Sequence, residues 1–266
     1  MAVKAIVKSI DINGSELDYA VFGSGSVPLI MIPGISIRSV LLNAQSVAGA
    51  YSRYIENHTV YLFDRRKNVQ PGYNIYDMGQ EIADAMKILG IENADFFGTS
   101  QGGMIAQQIA LENPELVRRL VLACTAARPN KHSEEVITEW IKLALDRDID
   151  GLCTEFVNNL YSEAFAKRFV NLVIKMHSDC TDEELDRFVT IARAGEHFDV
   201  YDKLGNIKCP TLVLGAHNDN VLTGRASDEI AEMIGCDSYM YGKPYGHAVY
   251  DEARDFKDKL FGFLNK

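Results

Sequence analysis

Short runs of almost wholly apolar residues, each followed by a stretch with helical spacing, constrain this chain more than any other feature. Residues 28–33 read PLIMIP, 94–98 read ADFFG and 209–216 read CPTLVLGA. A strand with one face in water alternates apolar and polar residues, whereas a strand covered on both faces has no such need. Runs of this kind separated by helical patterns imply a mostly parallel sheet with helices on its faces.

The expected order opens with a hairpin of residues 4–10 and 16–22 around Asn13-Gly14, a strong turn dipeptide. Six further strands follow, at 28–33, 59–64, 94–98, 116–124, 209–216 and 237–242. Helices fall near 39–55, from Asp77 to Leu89, from Gln101, and at the end through Ala253, Phe256, Leu260 and Leu264. Between the sixth and seventh strands the pattern is helical only. Ile137, Trp140, Ile141, Ala144 and Leu145 recur at helical spacing, and Leu152, Phe156 and Leu160 repeat it. Thr181 opens another helix, with Glu184 placed to reach back and Leu185, Phe188 and Val189 pointing inward. The expected architecture is an eight-stranded α/β core from residues 1–126 and 206–266, with a helical cap, 127–205, inserted after the sixth strand.

Composition narrows the functional classes. With 47% hydrophobic and 24% charged residues the chain has the balance of a globular protein rather than a disordered one. Twenty-seven Lys and Arg against 37 Asp and Glu leave a net charge of −10, which repels a phosphate backbone, so no nucleic-acid partner is expected. No apolar run reaches the roughly 18–20 residues of a membrane span, and the start MAVKAIVKSIDINGSE lacks a long apolar signal segment and a small-residue cleavage site. A cytoplasmic location with no membrane partner is the expectation. Cys124, Cys153, Cys180, Cys209 and Cys236 are odd in number and widely spaced, as free thiols would be. With no zinc spacing, dinucleotide fingerprint or Walker loop, no metal or cofactor is implied.

The chemical signal is Phe97-Gly98-Thr99-Ser100-Gln101-Gly102-Gly103, in which an apolar strand runs straight into a helix through Gly-x-Ser-x-Gly. A nucleophilic serine needs a tight turn that lifts its hydroxyl above the sheet, with small neighbours where strand and helix approach closely. The hydroxyl also needs a base. Of six histidines, His247 alone follows the last strand on a loop at the carboxyl edge of the sheet, the edge of Ser100. Asp219, just beyond the run TLVLGA, supplies an acid to orient the imidazole, in the order Ser100, Asp219, His247. The nearest upstream acid, Asp202, precedes the seventh strand and so belongs to the opposite edge.

Along nearly its whole length the chain resembles the α/β-hydrolase family. The resemblance rests on Pro33-Gly34-Ile35-Ser36, GTSQGG, LVRRLVLACTAA, PTLVLGAHND and GHAVYDEARDF, and the run MIAQQIALENPELVRRLVLACTAA is similar to the enol-lactonase and small-ester hydrolase branch. It implies a serine hydrolase whose oxyanion is held by the backbone N–H groups of Ile35 and Gln101. The sequence departs from the family in having Pro33 where histidine is common and Asn220 where proline usually follows the acid.

The chain is therefore read as a serine hydrolase of a small ester, lactone or related acyl compound with an apolar part, acting through an acyl-enzyme. An aminopeptidase, a carbon–carbon bond hydrolase or a cofactor-free haloperoxidase would use the same three side chains. A ligand-binding or signalling protein on a hydrolase scaffold is the reading from another class. Oligomeric state, monomer or homodimer, is not encoded in these motifs. Trp140, Phe156, Tyr161, Phe169 and Phe188 are candidates to line a pocket. Asp64-Arg65-Arg66-Lys67 is expected to be a solvated loop rather than an anion-attracting rim.

Overall fold

The computed structural model describes residues 3–53 and 55–266. Met1 and Ala2, the start of the segment read above for a signal sequence, and Tyr54, near the end of the helix expected at 39–55, lie outside the described residues. In chain order the first half comprises β1 (Ile6–Ile12), β2 (Ser15–Gly23), β3 (Val27–Ile32), α1 (Ala44–Tyr51), β4 (His58–Phe63), α2 (Ile75–Ile88), β5 (Ala94–Thr99), α3 (Gln101–Glu112) and β6 (Val117–Ala123). The insert follows as α4 (Lys131–Leu145), α5 (Ile149–Leu160), α6 (Glu163–His177) and α7 (Asp182–Arg193). The chain closes with β7 (Thr211–Ala216), α8 (Gly224–Ile234), β8 (Asp237–Tyr241), α9 (Val249–Glu252) and α10 (Phe256–Leu264).

The sheet order is β1-β2-β4-β3-β5-β6-β7-β8. β2 runs antiparallel to both β1 and β4, and the remaining pairs are parallel. Side chains along one strand feed opposite faces. Phe96, Leu120, Leu122 and Val213 join the core that includes residues of α2, α3 and α8. Phe97, Val121, Leu212 and Leu214 join the core of α1 and α10. Two buried faces explain why these strands read as continuous apolar runs.

The insert shares the first of these cores, since Trp140, Leu152, Leu185 and Phe188 belong to the same buried cluster as Phe96. Its helices start at polar caps: Asn130, Asp148, Ser162 and Thr181 each accept a backbone N–H in the first turn. Thr181 and Glu184 form the expected reciprocal box. α6 had no sequence expectation. It buries only Ala166, so its apolar side chains do not mark it as a core helix. Among the described residues no helix is long and apolar enough to cross a membrane.

The topology decides where loops converge. From β3 the chain passes to β4 on one side, then returns to place β5 on the other side of β3. The loops leaving β3 and β5 therefore meet at a crevice on the carboxyl edge, the place where open α/β sheets bind ligands. The opposite edge is tied by a buried carboxylate. Asp95, fully buried at the start of β5, accepts from Arg118 Nε at 2.8 Å and lies 3.1 Å from His58 Nε2. Asp95→Asn weakens the hydrogen bonds to Arg118, whose guanidinium is 34% exposed and can turn to water, and is expected to cost about 2 kcal/mol of stability. Denaturant unfolding measures this cost. Any activity per folded molecule should be unchanged, because the carboxylate lies at the far edge from Ser100; an unshifted midpoint would contradict the assignment.

Candidate active site

Ser100 stands between β5 and α3 with φ 52° and ψ −124°, the left-handed side of the backbone map that a residue with a side chain seldom occupies. The turn holds because its flanks are glycines. A Cβ on Gly102 would lie 2.0 Å from the Ile32 carbonyl oxygen, and one on Gly98 would lie 2.5 Å from that of Gly102. Hydrogen bonds fix the strained residue from both sides: Ser100 N–H donates to Ala123 O at 2.9 Å, and Thr125 Oγ1 donates to Ser100 O at 2.7 Å. The hydroxyl itself makes no hydrogen bond to any described residue, so no bond to His247 is formed in this structure.

Asp219 and His247, expected to act with Ser100, are paired. Their loops leave the carboxyl ends of β7 and β8, and His247 Nδ1 is 2.8 Å from Asp219 Oδ2 with both side chains buried. The other carboxylate oxygen, Oδ1, accepts the N–H groups of Val221 at 2.8 Å and Leu222 at 2.9 Å. Burial would raise the carboxyl pKa, but the His247 imidazole and these two amides outweigh it and hold Asp219 below its ordinary 3.8. An ionised Asp219 fixes Nδ1 as the protonated ring nitrogen and leaves Nε2 to accept a proton. Asp202 is exposed and takes no part. Of the other histidines, His58 bonds Asp95, His132 bonds Asn220 O and His177 bonds Val173 O.

The Ile35 and Gln101 backbone N–H groups, the expected oxyanion donors, donate to no described residue. Gln101 is the first residue of α3, where an amide has no intrahelical acceptor. Gly34 N–H donates to Thr99 Oγ1 at 3.1 Å, tying the β3 loop to the end of β5. The run Asp64-Arg65-Arg66-Lys67, expected to be a solvated loop, lies nearby and is partly buried. Asp64 and Arg65 are not solvated; they are 5% and 3% exposed, and only Lys67 of that run is well exposed. Arg65 Nη2 donates to Pro33 O at 2.7 Å and to Gln101 Oε1 at 3.1 Å, with Nε at 3.3 Å from the same oxygen. This contact holds the loop at Pro33, the position noted above as a departure from the family pattern.

Each loop carrying one of these residues is bonded to the insert. Gln101 Nε2 donates to Ile191 O of α7 at 2.7 Å, and Arg187 of α7 donates to Arg65 O at 2.6 Å. Beside Asp219, Asn130 Nδ2 donates to Leu222 O at 2.9 Å, and His132 Nε2 lies 2.8 Å from Asn220 O. Next to His247, Ala248 N–H donates to Leu160 O at 2.7 Å. None of these ties was visible in the sequence, because most use backbone carbonyls that any residue carries.

A cavity of about 440 Å³ opens at Ser100. Ile35, Gln101, Met104, Trp140, Ile141, Val221 and Leu222 contribute to its wall, with Glu134, Glu196 and His197 among its polar groups. Among the aromatics picked from the sequence, Trp140 lines this cavity, while Phe156 and Tyr161 line a neighbouring one of about 310 Å³ beyond Ile35. Phe188 is 1% exposed and packs 6.4 Å from the Phe156 ring, so it supports the wall from behind. Phe169 instead packs against Phe165 within α6, the two rings tilted by 38°.

The chain is similar to known hydrolases along most of its length. Over 242 residues, covering 85% of this chain and 93% of the relative, it is 26% identical to a protein of Pseudomonas savastanoi pv. phaseolicola that bears the provisional name carbamate hydrolase RutD. It is 23% identical over 224 residues to 3-oxoadipate enol-lactonase 2 of Acinetobacter baylyi, with 82% of this chain and 81% of the relative covered. Among solved structures, MGS-M2, an alpha/beta hydrolase enzyme from a Medee basin deep-sea metagenome library, superposes with a TM-score of 0.88 at 21% identity, covering 97% of this chain and 98% of that one. The enol-lactonase from Burkholderia xenovorans LB400 superposes with a TM-score of 0.81 at 23% identity over 97% and 100%. With the model of the alpha/beta hydrolase fold matching residues 54–253, the chain belongs to the alpha/beta hydrolase family and is a hydrolase of that fold.

Proposed function

We propose that this hydrolase cleaves a small ester, lactone or related acyl compound through an acyl-enzyme on Ser100. The observation that carries the proposal is the buried Asp219–His247 pair, set on the same sheet edge as a serine held at positive φ. Ser100 Oγ attacks the acyl carbonyl as His247 Nε2 takes its proton, and the tetrahedral oxyanion is received by the Ile35 and Gln101 N–H groups. Collapse breaks the bond to the leaving group, which takes the proton from His247. Water then repeats the sequence on the acyl-enzyme, releasing the acid and restoring Ser100. Asp219 stays ionised throughout and stabilises the imidazolium.

The wall at Ser100 suits a neutral, largely apolar substrate part, since Ile35, Met104, Ile141, Val221 and Leu222 offer no charge to a bound group. The enol-lactonase and carbamate hydrolase names of the relatives support an acyl substrate. The insert, bonded to all three catalytic loops, closes the roof of the site and limits entry of water.

A fluorophosphonate should react at Ser100, forming an O–P bond with loss of fluoride. Ser100→Ala should abolish both labelling and the hydrolysis of short p-nitrophenyl esters while keeping the thermal midpoint. Unchanged hydrolysis by the alanine variant refutes the mechanism.

Asp219→Asn should lower kcat by about 10³–10⁴, since an amide favours the wrong imidazole tautomer and cannot balance the imidazolium. The same variant tests the electrostatics. A carboxyl whose pKa is lowered by folding adds stability above its ordinary 3.8 and loses it as pH falls through the folded value. The gap in thermal midpoint between wild type and variant should therefore narrow from pH 6 to pH 3. A gap that is constant or widens on acidification contradicts the assigned shift.

A further inference from the structure

We propose that Arg65 is a positioning residue of the oxyanion hole, one guanidinium that holds the segments carrying both N–H donors at a fixed separation. The inference rests on the acyl-transfer reading of Ser100. One donor, Ile35, lies two residues beyond Pro33, whose carbonyl accepts from Arg65 Nη2 at 2.7 Å. The other is Gln101 itself, whose side-chain oxygen accepts from Arg65 Nη2 and Nε at 3.1 and 3.3 Å. The two segments leave different strands, β3 and β5; Gly34 N–H reaches Thr99 Oγ1 at 3.1 Å, but no hydrogen bond joins Pro33 or Ile35 to Gln101 directly. Arg65 is the group that bonds both.

Arginine suits this task. Its planar fork presents several N–H donors at fixed angles, so it can serve two acceptors at once, whereas a lysine ammonium on a flexible stem acts as a point charge. The side chain is itself held from behind. Its backbone N–H donates to Asp64 Oδ1 at 2.7 Å, and its carbonyl accepts from Arg187 of α7 at 2.6 Å. Gln101 is held likewise, its Nε2 bonded to Ile191 O of the same helix. Neither loop can shift without breaking bonds to Arg65 or α7.

Charge acts in the same direction. Burial lowers the Arg65 pKa to about 10, with Asp64 opposing that effect, so the group stays cationic at neutral pH. The cluster of Asp64, Arg65 and Arg187 carries one excess positive charge beside Pro33 and Gln101, and a cation near the donor segments favours a developing oxyanion. A buried cation has a large desolvation cost, which the Pro33 and Gln101 oxygens offset.

The test compares the full-length wild type with Arg65→Lys, Arg65→Met and Lys67→Met, the last a surface neighbour paired with Glu16. Each is assayed for kcat and KM on p-nitrophenyl acetate, and for affinity toward an alkyl boronic acid and toward the corresponding planar amide. The boronic acid forms an O–B bond with Ser100, and its tetrahedral anion draws on both donors; the planar amide does not demand their full alignment. Arg65→Met should lose about 10²-fold in kcat and a similar factor in boronate affinity, with KM and amide affinity changed less than about 3-fold. Arg65→Lys should fall between it and the wild type, and Lys67→Met should match the wild type. If Arg65→Met fails to fold, the lysine variant decides alone by the same split.

Two results overturn the inference. In one, a folded Arg65 variant keeps kcat and boronate affinity within about 3-fold of wild type. In the other, boronate and amide affinities fall together, as in a general loosening of the site. A wild type that neither hydrolyses the ester nor labels with fluorophosphonate would remove the hydrolase reading itself, a failure distinct from either.

Discussion

The approach of α3 to the end of β3 is the contact on which the site depends. Gly102 lies so close to the Ile32 carbonyl that any Cβ there would occupy the same space. This closeness lets the strand–helix turn be sharp enough to put Ser100 at φ 52°. It also brings the first amides of α3 beside the loop leaving β3, so the two expected oxyanion donors face one crevice. A strained residue persists only where its surroundings over-determine it. Here Ala123 and Thr125 bond Ser100 from the next strand and the loop beyond it, and the next residue, Gln101, is locked by Arg65 and Ile191.

The helical insert is the second part of that over-determination. It shares a continuous core with one face of the sheet, and separate helices bond the loops of Gln101, Asp219 and His247. A lid on a hinge would make few such contacts. The insert works here as a brace that orders the loops before substrate arrives, and electrostatic catalysis requires donors and base to be in place without reorganisation. The cavity wall at Ser100 is correspondingly shared: Met104 comes from α3, Trp140 and Ile141 from α4, and Leu222 from the loop of Asp219.

Much of this was legible because strand burial and strand polarity act locally on sequence. Continuous apolar runs marked β3, β5 and β7, and the carboxyl ends of β5, β7 and β8 then assigned Ser100, Asp219 and His247 to a common edge. Asp219 was legible from its place just beyond the run TLVLGA and the chain order Ser100, Asp219, His247. Arg65 was misread for a physical reason. A run of Asp-Arg-Arg-Lys has the composition of a solvated loop, and only tertiary packing buries its first two members against Pro33 and Gln101. The available signal was its place directly after β4, at the carboxyl edge where loops converge. α6 was missed although its signal was present: Phe165, Phe169, Leu172, Val173 and Met176 recur at helical spacing, and what the spacing does not tell is that Leu172 and Met176 remain about half exposed.

The central claim is that Ser100 becomes acylated, and trapping the intermediate tests it most directly. A p-nitrophenyl pivalate reaction quenched in acid within milliseconds slows the second half-reaction by crowding the acyl carbon, so the covalent species accumulates. The account predicts a burst of p-nitrophenolate equal to the enzyme concentration, and a pivaloyl mass on the peptide containing Ser100. Steady release with no burst, no mass on that peptide and no acyl transfer to added methanol would mean that no acyl-enzyme forms, and would contradict it.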